Sequence, residues 1–228
     1  MHKLPSLDQM LAAGMHFGHR KNRWHPKMEK YIFTEKNGVY IIDLSKSLKK
    51  LEEALDFMAK LLSENKTILF VGTKDQVKEP LKDLAISLKS PYVVGKWLGG
   101  YLTNFNVVKK SVKKYQELIE QRDSGKLEKY TKKERLNFDR QIKRLSDRVG
   151  GLTDLNKMPD AMFVWDIKEE KTAVVEALKK KIPIVAICDT NVNPELINYP
   201  IPANDDSTKT IKLLTKSIKE SLIKKINK

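Results

Sequence analysis

Hydrophobic and polar positions along the 228-residue chain follow two alternating rhythms. Thr67-Ile68-Leu69-Phe70-Val71, closed by Gly72, is an unbroken apolar run of strand length. Ala161-Met162-Phe163-Val164-Trp165 and Ile184-Val185-Ala186-Ile187-Cys188 are two more, and Tyr92-Val93-Val94 is a shorter one. Strands apolar at every position are buried on both faces, the habit of a parallel sheet covered by helices. Between the runs the period changes to that of a helix. Leu48, Leu51, Leu55, Met58, Leu61 and Leu62 share one face, and Val77 to Leu88 and Thr172 to Lys181 are further helices, with Pro80 tolerated near the start of its own. A last helix, from about Ser207 to Ile226, carries the stripe Ile211, Leu214, Ile218, Leu222. At the other end a short helix from Leu7 to Ala13 has Ser6 as N-cap and Gly14 as stop. Tyr31-Ile32-Phe33 and Val39-Tyr40-Ile41-Ile42 flank Asn37-Gly38, which signals a hairpin. The stretch from His16 to Lys30 reads as an irregular basic loop. Apolar strands alternating with helices predict an α/β fold.

One segment breaks the alternation. Between Asn104 and Gly151 no strand pattern occurs. Val108, Val112, Tyr115 and Ile119 are spaced four, three, four, and Phe138, Ile142, Leu145 and Val149 repeat the spacing. Asp123-Ser124-Gly125 lies between them, and Thr131 with Glu134 matches a capping box. Two such narrow seams predict an antiparallel helical hairpin, packed on itself and on little else. The chain therefore divides into an α/β core, residues 1–103 and 152–228, and a protruding arm, residues 104–151.

Charge adds a partner. Lys plus Arg number 44 against 29 Asp plus Glu, a net charge of +15. The arm from Val107 to Arg148 holds 14 of these cations and 7 of the acids. A balance this basic points to nucleic acid. No apolar run reaches the roughly 18 residues of a membrane span. One cysteine excludes an intrachain disulfide and a thiolate zinc cluster, and Cys188 reads as an inert core thiol. The N-terminus matches neither a secretory signal nor an Arg-rich transit peptide.

Four constellations bear chemistry. Arg20, Lys21, Arg23, Lys27 and Lys30 surround Trp24, a pattern in which a ring can stack on a base while cations meet phosphates. The alternative is a ring packed on a sheet edge with its charges in water. Val71-Gly72-Thr73-Lys74 sits where an open α/β sheet seats phosphate, yet both glycine-rich nucleotide fingerprints are absent. His16 and His19, with Asp189, Asp205 and Asp206 after later strands, make a divalent metal site chemically possible. Histidines that hydrogen-bond backbone or RNA phosphate would look the same. No nucleophile with its base can be assembled from local signatures.

Several motifs together resemble a known family. Gly14-Met15-His16-Phe17-Gly18-His19 with Trp24-His25-Pro26-Lys27-Met28 is similar to the N-terminal signature of ribosomal protein S-two of the small subunit. Phe70-Val71-Gly72-Thr73-Lys74, Trp97-Leu98-Gly99-Gly100-Tyr101-Leu102-Thr103-Asn104-Phe105 and Pro159-Asp160-Ala161 resemble its next hallmarks. Ile182 to Asn191 and Ile201 to Ser207 complete the family's order. Lys96 stands where the family usually has Arg, and Ala203 where it usually has Gly.

The resemblance implies a Rossmann-like, mainly parallel sheet flanked by helices, with the arm as an inserted coiled-coil hairpin. It implies a structural constituent of the small ribosomal subunit without catalysis, without a cofactor and without a small-molecule substrate. The partners implied are small-subunit rRNA and neighbouring ribosomal proteins, among them the large ribosomal protein S-one if the source is bacterial, and no membrane. A bacterial cytoplasm, or a plastid-encoded organellar ribosome, is the expected place. The candidate RNA contacts are Arg20, Lys21, Arg23, Trp24, Lys27, Lys74, Lys96, Asn104, Lys109 and Lys113. Two other functions fit the residues: an α/β enzyme with a phosphorylated substrate at Gly72 to Lys74, and an adaptor that docks a protein on its arm.

Overall fold

The computed structural model describes residues 2–226; Met1 and residues 227–228, counted with the core from sequence, lie outside that range. Five strands form one parallel sheet: β4 (Ile68–Val71), β5 (Tyr92–Val93), β6 (Ala161–Trp165), β7 (Ile184–Cys188) and β8 (Tyr199–Pro202). Their spatial order is β5-β4-β6-β7-β8. The three apolar runs pair side by side, Phe70 opposite Phe163 and Phe163 opposite Val185. Every residue of β4, β6 and β7 is buried, as unbroken apolar strands require.

The sheet divides the core into two layers. Ile68, Phe70, Phe163, Trp165, Val185 and Ile187 face α2 (Leu44–Ser63), α3 (Asp75–Ser87) and α7 (Thr208–Ile226). Leu69, Val71, Met162, Val164 and Ala186 face α6 (Lys171–Lys179), the Trp97 to Leu102 loop and the base of the arm. Neighbouring residues on a strand thus take opposite layers.

A second, three-stranded antiparallel sheet precedes this core, ordered β1-β3-β2, with β1 (Phe17–Arg20), β2 (Ile32–Lys36) and β3 (Val39–Ile42). The hairpin between β2 and β3 turns at Asn37 and Gly38, both at positive φ (53° and 74°). Part of the expected irregular basic loop is therefore strand β1 followed by short helical turns at Lys21–Arg23 and Pro26–Tyr31. β8 carries no strand pattern in the sequence. Its two prolines are tolerated because it is an edge strand. α1 (Leu7–Ala12) begins at a Ser6–Gln9 capping box.

The arm is α4 (Phe105–Asp123) and α5 (Lys132–Val149), and α5 opens with the Thr131–Glu134 capping box. Its buried seam is Val108, Val112 and Leu118 against Ile142 and Val149. Leu118 takes the deep position expected for Ile119. The expectation that the seam packs on little else is corrected at its base. Val108, Val112 and Val149 join the same cluster as Val71 and Met162, so the arm is rooted in the second core layer. Tyr101 Oη donates to the Arg148 carbonyl at 2.7 Å, and Gln116 Nε2 to the Thr153 carbonyl at 3.3 Å, tying both arm helices to the core.

Candidate nucleic-acid interface

The crevice at the carboxyl ends of the parallel strands is where an open α/β sheet binds small ligands. Beyond β4 the chain occupies it with its own side chains. Gly72 ends β4, and a Cβ there would lie 2.7 Å from Leu81 Cδ2 and 2.9 Å from Val77 Cγ1. The glycine thus permits close strand–helix packing rather than phosphate approach. Thr73 N donates to Glu170 Oε1 at 2.6 Å, so the backbone amide that would greet an anion already holds a carboxylate. Lys74 Nζ sits 2.7 Å from Asp166, 3.0 Å from Asp205 and 2.7 Å from Asp206. Burial works against the ammonium, but Asp205 and the other carboxylates prevail and raise its pKa. Lys74 is therefore an internal cation, and its expected use as an RNA contact or phosphate seat gives way to a role in closing the crevice.

The same geometry answers the metal expectation. His19 Nδ1 lies 3.2 Å from Asp189 Oδ2, and its pKa is raised chiefly by that hydrogen bond. Asp205 and Asp206 are taken by Lys74. His16 is elsewhere, its ring 4.0 Å from the Phe17 ring. Among the described residues, no three His, Cys, Asp or Glu side chains are gathered to hold a metal ion. A lysine already supplies positive charge to the acids that a cation would use. Asp205 is 1% exposed, and burial followed by the Asp166 and Asp189 charges pushes its pKa up to about 7. Cys188 is fully buried with its pKa raised by burial.

The small sheet joins the core beside this crevice. His19 N donates to Thr190 Oγ1 at 2.7 Å, and His25 N to the Thr190 carbonyl at 2.8 Å. A Cβ on Gly18 would lie 2.5 Å from Thr190 Cγ2, so the strand lies against the Thr190 side chain only because residue 18 has none. The His19 backbone and ring therefore anchor the strand that ends at Arg20.

That anchoring sets which basic side chains face outward. Lys21 Nζ is held by Glu35 at 2.9 Å and Lys27 Nζ by Glu195 at 3.1 Å. Trp24 is half-buried, its ring 4.8 Å from Tyr40, which matches packing on the small sheet. Arg20 and Arg23 are exposed and have no ion-pair partner among the described residues. Lys96 and Asn104 are exposed near the arm root. Lys109 Nζ lies 5.7 Å from the centre of the Phe105 ring, and Lys113 pairs loosely with Glu117 at 3.8 Å. On α5, Arg140, Lys143 and Arg144 are exposed. The candidates thus fall on two surfaces, the Arg20–Arg23 corner and the arm, with Lys74 outside both.

One residue that shapes the surface at the arm root escapes sequence reasoning. Glu176, in the middle of α6 and 5% exposed, binds the Trp97 to Asn104 loop. Its Oε1 accepts from Trp97 Nε1 at 3.2 Å and Gly100 N at 2.7 Å. Its Oε2 accepts from Leu102 N, Thr103 N and Thr103 Oγ1, each at 3.0 Å. Burial opposes the charge, but the backbone amides of Gly100, Thr103 and Leu102 outweigh it and lower the pKa. The only hint in the sequence is an acid on a helix face otherwise lined by Ala173 and Ala177.

Comparison with known proteins agrees with this picture of a basic α/β protein with a helical arm. The family model described as ribosomal protein S2 matches residues 10–225. The small ribosomal subunit protein uS2 of Coprothermobacter proteolyticus is 45% identical over 218 residues, covering 96% of this chain and 81% of the relative. Its counterpart from Fusobacterium nucleatum is 48% identical over 219 residues, covering 96% and 89%. With Lys74 spent on the carboxylates around it, and with likeness running through core and arm alike, this chain belongs to the ribosomal protein S2 family, whose members are structural constituents of the small ribosomal subunit rather than enzymes.

Proposed function

We propose that the chain holds small-subunit rRNA with two separate basic surfaces. The first is the corner of Arg20 and Arg23, with Trp24, Lys21 and Lys27 beside it. The second is the arm with its root, where Lys96, Asn104, Lys109 and Lys113 lie. The observation that carries this reading is the contrast at the corner: Lys21 and Lys27 are neutralised by acids while Arg20 and Arg23 are not. Unpaired guanidinium groups at the end of an anchored strand and in the turn after it are suited to bidentate phosphate contact. In this reading residues 104–151 act as a separate arm, and neighbouring ribosomal proteins, including the large protein S-one in a bacterial cytoplasm, meet the surfaces that RNA leaves free. A plastid ribosome is the other setting that suits the sequence.

The test is charge reversal of Arg20 and Arg23 to Glu in the full chain. Occupancy in small subunits, read by co-sedimentation, should fall with the thermal melt unchanged. Each phosphate that is no longer neutralised should lower the salt slope by about 0.7 to 0.9. Unchanged occupancy would refute the corner. A second reading, the arm as a docking post for a protein, is favoured by Leu136 and Val107, which remain 49% and 53% exposed there. Deleting the arm would then remove a protein partner and spare RNA affinity.

A further inference from the structure

Resting on that RNA-binding reading, we infer that the Arg20–Arg23 corner is the rim of a pocket for one unstacked guanine nucleotide of RNA. A cavity of about 330 Å³ opens there, between the small sheet and the carboxyl ends of the main sheet. It lies in the range of roughly 300–1,000 Å³ typical of small-ligand sites. Arg20, Asn22, Arg23 and Asp206, all exposed, line its mouth, and buried Asp189 and half-buried Asn204 lie deeper. Both signs of charge are therefore present side by side.

This mixed lining selects the ligand class. A bare anion would meet Asp189 and Asp206 beside the guanidinium groups. A bare cation would meet two unpaired guanidinium groups. A nucleotide carries both complements: an anionic phosphate for the arginines, and a base whose edge can donate to a carboxylate. RNA recognition commonly takes this form, with an unstacked base read on its edge and an arginine over its face. The carboxylates then select the base. Asp189 is committed, its Oδ1 to Thr190 N and its Oδ2 to His19. Asp206 is more than half exposed and borders the cavity while Lys74 holds its Oδ1. A carboxylate only accepts, and Lys74 holds Asp206 ionised by lowering its pKa against the pull of burial. Guanine alone among the four bases presents two adjacent donors, N1–H and N2–H₂, on its Watson–Crick edge. Adenine and cytosine set an acceptor nitrogen beside their single amino group, and uracil flanks its one N–H with two carbonyls.

The experiment uses the full-length protein and fluorescein-labelled pentaribonucleotides at low salt, read by anisotropy. The sequences are five uridines, and the same with a central guanosine or a central adenosine. The guanosine pentamer should bind about tenfold more tightly than the other two. Asp206→Asn should level the three affinities, and Arg20→Gln with Arg23→Gln should weaken all three alike. Free guanosine 5′-monophosphate should bind at least tenfold more weakly than its pentamer, since the flanking phosphates are missing. Equal affinity of the unmodified protein for the three pentamers overturns the pocket, whatever the variants do. So does an unaltered guanosine preference in Asp206→Asn. Free nucleotide binding as tight as the pentamer would make this a free-nucleotide site and overturn it as an RNA site. None of these results touches subunit occupancy, so the broader RNA reading stands or falls separately.

Discussion

Replacing Glu176 by Ala removes the one group that binds five donors of the Trp97 to Thr103 segment. A hydrogen bond to a charged acceptor contributes about 1.5–3 kcal/mol, so simple addition would give roughly 7–15. That sum overstates the loss. The donors share two oxygen atoms, Thr103 is exposed, and its amide and hydroxyl can turn to water. The donors of buried Trp97 and Leu102 cannot, and two stranded buried donors cost about 2–6 kcal/mol. We therefore expect a loss of about 3–5 kcal/mol in urea unfolding at pH 7. Glu176→Gln should lose less, because its remaining carbonyl keeps one oxygen's partners while the amide nitrogen opposes the others. The pH dependence has a definite sign. Because the folded pKa is lowered, the carboxylate's contribution is present above its unfolded value of about 4.3 and fades as pH falls through the folded one. The wild-type chain should thus lose stability on acidification below that value more steeply than Glu176→Gln does. A loss under 1 kcal/mol in Glu176→Ala, or parallel acid limbs, would refute the claim that this carboxylate holds the loop.

Three further substitutions probe other joints. Lys74→Met strands two buried carboxylates, Asp166 and Asp205, in the crevice and should cost about 3–5 kcal/mol at pH 8. Asp205, its pKa already raised to about 7, rises further without the ammonium, so the deficit should shrink by pH 5.5; an equal deficit at both pH values would count against the network. Ile142→Ala, in the arm beyond the core cluster, should cost the arm about 2–5 kcal/mol and speed amide exchange in α4 and α5 while the β4, β6 and β7 amides stay protected. Gly151→Ala would drive a Cβ into the Tyr92 carbonyl oxygen and should cost about 1–3 kcal/mol in thermal unfolding, with the loosening centred on β5.

What the residues disclose on their own depends on how far apart the causes lie. Ile184 to Cys188 announces a buried strand because each side chain is apolar, and Asn37-Gly38 announces its turn because positive φ is easiest there. β1 is different. Phe17-Gly18-His19-Arg20 has no strand pattern, and its extended form is set by β3 on one side and Thr190 on the other. The prolines of Tyr199–Pro202 hide a strand that only its edge position permits. Arg20 and Arg23 are legible as candidates from local charge, but nothing local distinguishes them from Lys21 and Lys27. The acids that neutralise those two come from β2 and from the turn before β8. Lys74 is the sharpest case. Its partners follow β6 and β8, so a residue that looks like a free cation in sequence becomes an internal one in space.

The root of the arm bears on how this fold tolerates change. Phe70 and Phe163 are sheet neighbours, yet the whole arm intervenes between them along the chain. Because α4 and α5 run back to a common root, the sheet meets this long excursion as a loop whose ends are already joined. For an unstructured loop each doubling of length adds only about 0.6 kcal/mol of closure entropy, and a self-paired hairpin adds less still. The turn between Ser124 and Tyr130 can accordingly gain or lose helical turns at little expense to the strand order, so arm reach and core stability can evolve as independent quantities.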